Sequence, residues 1–362
     1  MNILNKLTIV LPTYNRKEYA LRAMRYWSGR GPTVLVADGS EHPIDEKCLR
    51  KLSKNIIYMH FKSLGYSERI KSILHLINTD YVMLHADDEF FLPCGLINCI
   101  KEIEREDLIC CLGRCLQINY IDNKIIAVPW TPLHASFENY LLMDEHPEQR
   151  VIKHMAPYLC STIFGVTKTQ IWKNNWMFTE NQLCRGVREI IFEIISAFQG
   201  KSKVINYISW IRSDENEPIH RQLDNQGKTP PRAHEIWLDC NKREKDDLLN
   251  QTALRLQQID PKISINELKI LIENAMYVFS KSADLSFMIR DMTNVLVGSN
   301  NSKLVEEALK AQYKIGIFNE QSLTGETPTL IEMADKWRKL GILSNPIEIK
   351  ELEDSIIKFH NN

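Results

Sequence analysis

No stretch of the 362 residues approaches the roughly 20 consecutive apolar residues that a bilayer-spanning helix needs. Met1 to Lys6 contain no long apolar stretch of the kind that opens a secretory signal. Charge of one sign is not in excess either. The 45 Lys and Arg residues nearly balance the 46 Asp and Glu residues, so no global basic field exists to hold nucleic acid. An anionic ligand must therefore be held locally, by a metal or by a few placed cations. The nine cysteines lack the short paired spacings of a zinc site, although Cys110, Cys111 and Cys115 lie close together. They read as reduced core cysteines of a cytosolic protein. Peripheral contact at the inner face of a membrane is compatible with all of this. Internal repeats and low-complexity tracts are absent.

The length exceeds what one hydrophobic core usually covers, which predicts two domains. The first half alternates strand and helix signals. Leu7 to Leu11 is a β-rich run closed by Pro12, and Lys17 to Trp27 has helical spacing. Further buried-strand patterns run from Thr33 to Ala37, Asn55 to His60 and Tyr81 to His85, with helical patterns over Glu68 to Ile77 and Leu96 to Glu104. Such alternation implies an α/β fold with a largely parallel sheet covered by helices. Two β-rich runs between Leu108 and Pro129 flank Ile121-Asp122-Asn123, the pattern of an antiparallel hairpin. Ser161 to Val166 and Lys203 to Trp210 read as strands, and Thr169 to Trp176 and Val187 to Phe198 as helices.

Ser213 to Arg232 is polar and proline-bearing, the composition of a loop or linker. Beyond it the pattern becomes helical, with capping boxes at Ser264/Glu267 and Thr329/Glu332. The expected division is a catalytic unit over 1–232 and a helical C-terminal unit over 233–362. The latter could bind an acceptor, touch a membrane or form a homo-oligomer.

Ligands of open α/β sheets collect beyond the carboxyl ends of the strands. Three such ends carry polar motifs: Pro12-Thr13-Tyr14-Asn15-Arg16, Asp38-Gly39-Ser40 and Asp87-Asp88-Glu89. The last follows the apolar run Tyr81 to Leu84 and is the most informative stretch of the chain. Adjacent carboxylates at a sheet rim suit a hard divalent cation that also holds phosphate oxygens. A solvated acidic turn is the plainer reading of the same residues, and its coincidence with two other polar strand ends weighs against it.

These three motifs, in this order and spacing, resemble the opening half of glycosyltransferase family 2 enzymes. The likeness runs over about residues 7 to 212 and is strongest to about residue 92. It implies a GT-A (Rossmann-like) sheet with a C-terminal helical domain. It also implies metal-dependent, inverting transfer of a sugar from a nucleotide-diphosphate donor to a hydroxyl. The acceptor it implies is a surface glycan of capsule or lipopolysaccharide type, free or lipid-linked. His85-Ala86-Asp87-Asp88-Glu89 resembles the family's Asp-x-Asp signature, with Glu at the last acidic position. By that resemblance Asp88 and Glu89 would hold Mg²⁺ or Mn²⁺ and Asp87 would lie nearer the ribose. Asp38 would contact the nucleotide, Pro12, Thr13 and Tyr14 would shape the loop beneath it, and Arg16 and Arg69 would lie near its phosphates or base. Trp210, Arg212 and Trp130 are further candidates for sugar or diphosphate contact.

An inverting transferase also needs a general base. Gly186-Val187-Arg188-Glu189-Ile190 resembles the family's acidic pair at a helix start, with Glu189 in the catalytic position and Arg188 replacing the first acid. Glu193 would share a face with Glu189 one turn on. Both acids also suit an ordinary helix N-terminus. His220, in the polar stretch after the last strand, is a candidate further metal ligand. Two other readings use the same strand ends. A sugar-phosphate nucleotidyltransferase would need a glycine- and lysine-rich phosphate loop near the first strand, and none is there. A non-catalytic nucleotide- or glycan-binding scaffold would have little use for the acids at 38, 87 and 88.

Overall fold

The computed structural model describes residues 2–130, 140–155, 158, 161–178, 185–215, 233–297 and 328–361, with backbone alone at 185 and 282–297. The first strands form as the hydrophobic pattern demands. β1 (Leu7–Thr13), β2 (Thr33–Asp38), β3 (Ile56–His60) and β4 (Tyr81–Leu84) pair in parallel in the order β3-β2-β1-β4. Both faces of the central strands are covered, so their sequences are nearly continuous apolar runs. The side chains nevertheless alternate between two cores. Ile9, Leu11, Val34, Val36 and Met83 face one core, with Met24 and Trp27 of α1 (Lys17–Trp27). Val10, Leu35, Val82 and Leu84 face the other, with Ile70 and Ile73 of α3 (Tyr66–Ile73). A short α2 (Glu46–Leu49) lies between β2 and β3.

Beyond β4 the sheet turns mixed. Among the described residues its order continues β9-β6-β10-β5. β6 (Cys110–Ile121) and β10 (Ser202–Ser213) are long and parallel. β5 (Phe90–Phe91), β8 (Leu141–Leu142) and β9 (Val166–Lys168) are short antiparallel additions. β7 (Lys124–Pro129) returns from β6 as the expected hairpin. Its turn residues Asp122 and Asn123 both have positive φ, 49° and 61°, which the tight hairpin turn requires and these short polar residues tolerate. α4 (Pro93–Glu106), α5 (Pro147–Met155), α6 (Thr169–Phe178) and α7 (Arg185–Gln199) pack around this half.

One expected strand is not there. Ser161 to Val166 is apolar enough for a strand, but Thr162–Phe164 is a 3₁₀ turn and pairing begins only at Val166. The cause is a buried carboxylate. Glu193 of α7 accepts hydrogen bonds from Thr162 Oγ1 and, at 2.9 Å, from the Ile163 N–H, which takes that backbone out of any ladder.

The C-terminal helices divide between two cores. α8 (Ala233–Asp239), α9 (Lys242–Ile259) and the first part of α10 (Ile265–Val297) bury Trp237, Leu249, Leu256, Leu268, Ile272 and Met276 against Ile190, Ile191, Ile194 and Ile195 of α7. α11 (Leu330–Lys339) and α12 (Pro346–His360) instead place Leu330, Trp337, Ile349, Leu352 and Ile356 in the core shared by β1, α1 and α4. Both anticipated capping boxes form. Glu267 N donates to Ser264 Oγ at 3.3 Å and Glu332 N to Thr329 Oγ1 at 3.3 Å. No helix among the described residues is long and apolar enough to cross a membrane.

Candidate active site

The three polar strand ends meet at one rim because β1 lies between β2 and β4 in parallel register. Thr13, the last residue of β1, holds them together. Its hydroxyl donates to Asp87 Oδ2 at 2.7 Å, and its carbonyl accepts the Gly39 N–H at 2.9 Å and Arg69 Nη1 at 3.0 Å. Next to it Asn15 takes a left-handed φ of 55°, and its N–H donates to Ser40 Oγ at 2.8 Å. That turn brings Arg16 back over the acids. Arg16 Nη1 lies 2.8 Å from Asp88 Oδ2 and 3.5 Å from Asp87 Oδ1.

Asp38 ends β2 almost wholly buried. Its Oδ1 accepts the Ser40 N–H at 2.8 Å and its Oδ2 the Tyr58 hydroxyl at 2.6 Å. Burial, and then the hydrogen bond to Asp38, push the Tyr58 phenol well above its ordinary range, so it stays a donor. Gly39 is dictated by Arg69. A Cβ there would fall 1.3 Å from Arg69 Nη1, so only glycine lets the buried guanidinium lie across the strand end. Burial holds the Arg69 pKa below its usual value against the opposing pull of Asp38. Tyr14, about half exposed, lies with its ring centroid 5.9 Å from the same guanidinium, and Pro12 is half-buried in β1 beside Ala37 of β2.

The acids after β4 face different surroundings. Asp87 is pushed up to about 6, first by burial and then by the neighbouring Asp88, while Thr13 and Arg16 oppose the rise. Glu89 turns to the β10 side, where Trp210 Nε1 donates to its Oε2 at 2.7 Å and Arg212 Nε lies 3.7 Å from Oε1. Burial nevertheless raises it to about 8. Trp210 therefore serves Glu89 and stacks on Phe91, and Trp130 packs edge-on against it at 4.7 Å between ring centroids. Those two indoles, candidates for sugar stacking, are committed to one another. His85 is fully buried between Trp27 Nε1 at 3.1 Å and the Ala86 carbonyl at 2.6 Å, and burial lowers it to about 4, so it is a neutral core group.

Glu189 lies on α7, at a cleft beyond the end of β4. Tyr66, Leu84, Phe164, Trp176, Arg188 and Glu189 are among its walls, and it holds about 380 Å³ including its open mouth. The Glu189 carboxylate accepts from Ser161 Oγ at 3.0 Å and from the Tyr158 hydroxyl at 3.1 Å. Trp172 and Trp176 are buried, though the Trp176 ring also forms part of the cleft wall. His220 lies outside the described residues.

The carboxylate oxygens of Asp87 and Asp88 are of the kind that suit Mg²⁺ or Mn²⁺ held by one or two carboxylates and completed by substrate phosphate, and in this structure the Arg16 guanidinium is paired with them. Among the described residues no group of three or more His, Cys, Asp or Glu side chains converges in a metal-binding arrangement.

Sequence reasoning missed Arg22, Glu215, Tyr58, Tyr158 and Ser161. For Arg22 a signal existed: it interrupts the run Ala20, Leu21, Ala23, Met24 on the buried side of α1. A buried arginine needs a partner, and its partner Glu215 is 193 positions away. For the other four no local pattern pointed to the contact.

No protein-family model matches the chain, and no curated protein matches it. Among solved structures it is similar to crystal structures of S. aureus TarS. With TarS 1-349 in complex with UDP-GlcNAc the identity is 10%, the match covers 97% of this chain and 91% of that one, and the TM-score is 0.48. With TarS 1-349 in complex with UDP the identity is 12%, coverage is 77% and 90%, and the TM-score is 0.40. With a longer TarS structure the identity is 12%, the coverage 75% of this chain and the TM-score 0.41, and the chain spans 54% of that chain's length. At such values the likeness is one of general chain path, and no residue role is drawn from it.

Proposed function

We propose that this chain is a metal-dependent, inverting glycosyltransferase that moves a sugar from a nucleotide-diphosphate sugar to a hydroxyl of a surface glycan. The observation that carries the reading is the convergence at one sheet rim. Thr13 ties the Asp87 turn, the Asp38–Gly39 turn and Arg69 together, and a cleft bearing Glu189 opens at the end of β4. Such a rim takes a nucleotide on the Asp38 side and a diphosphate on the Asp88 side.

The roles follow from the charges that move. In the transfer a bond forms between the acceptor oxygen and the anomeric carbon while the bond from that carbon to the diphosphate breaks. Negative charge grows on the leaving group. Mg²⁺ or Mn²⁺ held by Asp88, with Asp87 or Glu89 beside it, would supply Lewis-acid stabilisation of that charge. Arg16, here paired with Asp88, exchanges this carboxylate for a phosphate in the donor complex, since both accept charge-assisted hydrogen bonds. Arg69 is too deeply held to travel and acts as a fixed cation under the nucleotide. Glu189 takes the acceptor's proton. Glu89, engaged by Trp210, serves better as the support that fixes the acidic turn than as a primary ligand. His220 stays a candidate ligand on sequence grounds, and the cytosol, with contact at a membrane surface, is the setting the reading favours.

The test is a thermal-shift panel of nucleotide-diphosphate sugars with Mn²⁺, followed by turnover of whichever donor stabilises the protein. One base and one sugar should raise the melting temperature, and Asp88→Asn should abolish the shift and the turnover while the fold persists. No stabilisation by any nucleoside diphosphate would sink the reading. Pyrophosphate release from a nucleoside triphosphate would replace it with nucleotidyl transfer.

A further inference from the structure

Behind Glu189 lies a buried polar cluster that the transfer chemistry does not itself use. Glu193, one turn further along α7, has no solvent exposure, and neither has His154 of α5, whose Nε2 lies 2.9 Å from Glu193 Oε2. The other ring nitrogen of His154 meets the Tyr140 hydroxyl. Through Thr162 Oγ1 and the Ile163 N–H the Glu193 carboxylate pins the stretch Ser161 to Phe164 to α7. Two hydroxyls reach Glu189 Oε1, from Ser161 of that stretch at 3.0 Å and from Tyr158 at 3.1 Å. The Tyr158 hydroxyl also lies 3.1 Å from Ser161 Oγ and 3.4 Å from Glu193 Oε1. It has a single proton to give, and the shorter carboxylate contact is to Glu189.

We propose that Tyr158 and Ser161 are positioning residues for Glu189. Their hydroxyls fix the rotamer of its carboxylate at the cleft and favour its ionised form, and the Tyr140–His154–Glu193 cluster holds Thr162 and Ile163 next to Ser161 and lies within reach of the Tyr158 hydroxyl. The inference rests on the reading of Glu189 as general base, and it deepens that reading by giving the base its support. Among the described residues, the charged and titratable groups around Glu189 include Glu193 behind it, His154 beyond Glu193, Arg188 beside it on α7, Tyr158 above it and Tyr66 across the cleft. Of these, Tyr158 acts on the carboxylate by a direct hydrogen bond, as does the neutral Ser161.

The experiment is carboxyl-¹³C glutamate NMR of the full chain, with the Glu189 signal assigned by its loss in Glu189→Gln. Removing a hydroxyl that bonds the charged form raises the carboxyl's titration midpoint. Tyr158→Phe and Ser161→Ala should each move it up by about half to one pH unit. A role confined to packing would leave the midpoint where it is, and unchanged midpoints in both variants overturn the proposal. If one variant fails to fold, the other decides. Donor turnover separates this outcome from the parent reading. A Glu189→Gln protein that turns over donor at the wild-type rate removes the base assignment, whereas unmoved midpoints with an inactive Glu189→Gln remove only the support.

Discussion

Arg22 and Glu215 form a buried two-pronged ion pair, with Nη1–Oε1 at 2.9 Å and Nη2–Oε2 at 2.8 Å. The same Nη2 donates to the Asp88 carbonyl at 2.8 Å, so the pair ties the residues just past β10 to the acidic turn after β4. Breaking one half of a buried pair strands the other charge. Arg22→Met should therefore cost about 3–5 kcal/mol, read as a lower urea midpoint with an unchanged slope. A loss below about 1 kcal/mol, the scale of a surface pair, would mean that water reaches Glu215.

His360 at the end of α12 also touches this carboxylate, with Nε2 2.5 Å from Glu215 Oε1. Burial alone would raise Glu215, but the hydrogen bonds and charge of Arg22, with help from Ser213 and His360, hold it below its ordinary value. A depressed carboxyl contributes stability above its unfolded pKa and loses it as pH falls through the folded one. His360→Ala leaves the Arg22 bonds in place, so it should cost only about 0.5–1.5 kcal/mol at pH 7. Urea titrations at pH 7 and in acid strong enough to protonate Glu215 check both statements, and the His360→Ala deficit should shrink in that acid, where the carboxylate acceptor is lost.

Glu89 gives the opposite slope. Its raised value of about 8 means that folding favours the protonated acid. The contribution is complete below the unfolded carboxyl range and fades as pH rises towards and through 8. Metal-free protein should lose about 2 kcal/mol of unfolding free energy between pH 6 and pH 8.5. Glu89→Gln should flatten that loss, because the amide keeps an acceptor for Trp210 without a charge to desolvate. Denaturant titration in the presence of a chelator reads the difference, and parallel slopes in the two proteins would remove Glu89 as the cause.

Gly39→Ala forces a choice between the new methyl and the Arg69 guanidinium, which would overlap at 1.3 Å. Displacing a buried arginine by overpacking should cost about 1–3 kcal/mol. It should also lower the thermal shift produced by any nucleoside diphosphate that stabilises the parent protein, through loss of the fixed cation. A normal shift in a destabilised protein would limit Arg69 to a packing role.

The strand ends were legible because parallel strands buried on both faces are unbroken apolar runs, and a polar residue after such a run marks the rim. Asp38 and Asp87 stand out for that reason, and the hairpin at Asp122-Asn123 for its turn chemistry. What could not be read is set by distant partners. Whether Glu89 faces a cation or an indole depends on Trp210, 121 positions later. Thr162 and Ile163 look like strand residues until the Glu193 carboxylate claims their hydrogen-bonding groups. The helical pattern beyond residue 232 suggested one unit, yet its segments serve two different cores, a division that amphipathic spacing does not encode.

The placement of α11 and α12 bears on how the chain reaches this structure. The core beneath β1 and α1 is finished by Trp337, Leu352 and Ile356, and Arg30 of the loop after α1 pairs with Glu351 of α12 at 2.9 Å, 321 positions away. Contacts of that separation close late, because the loop entropy must be met before they form. The sheet that carries the acidic rim should therefore pass through a stage in which its helix-facing side is exposed and prone to self-association. Refolding yield should fall with protein concentration, and a peptide spanning α11 and α12 added in trans should restore it.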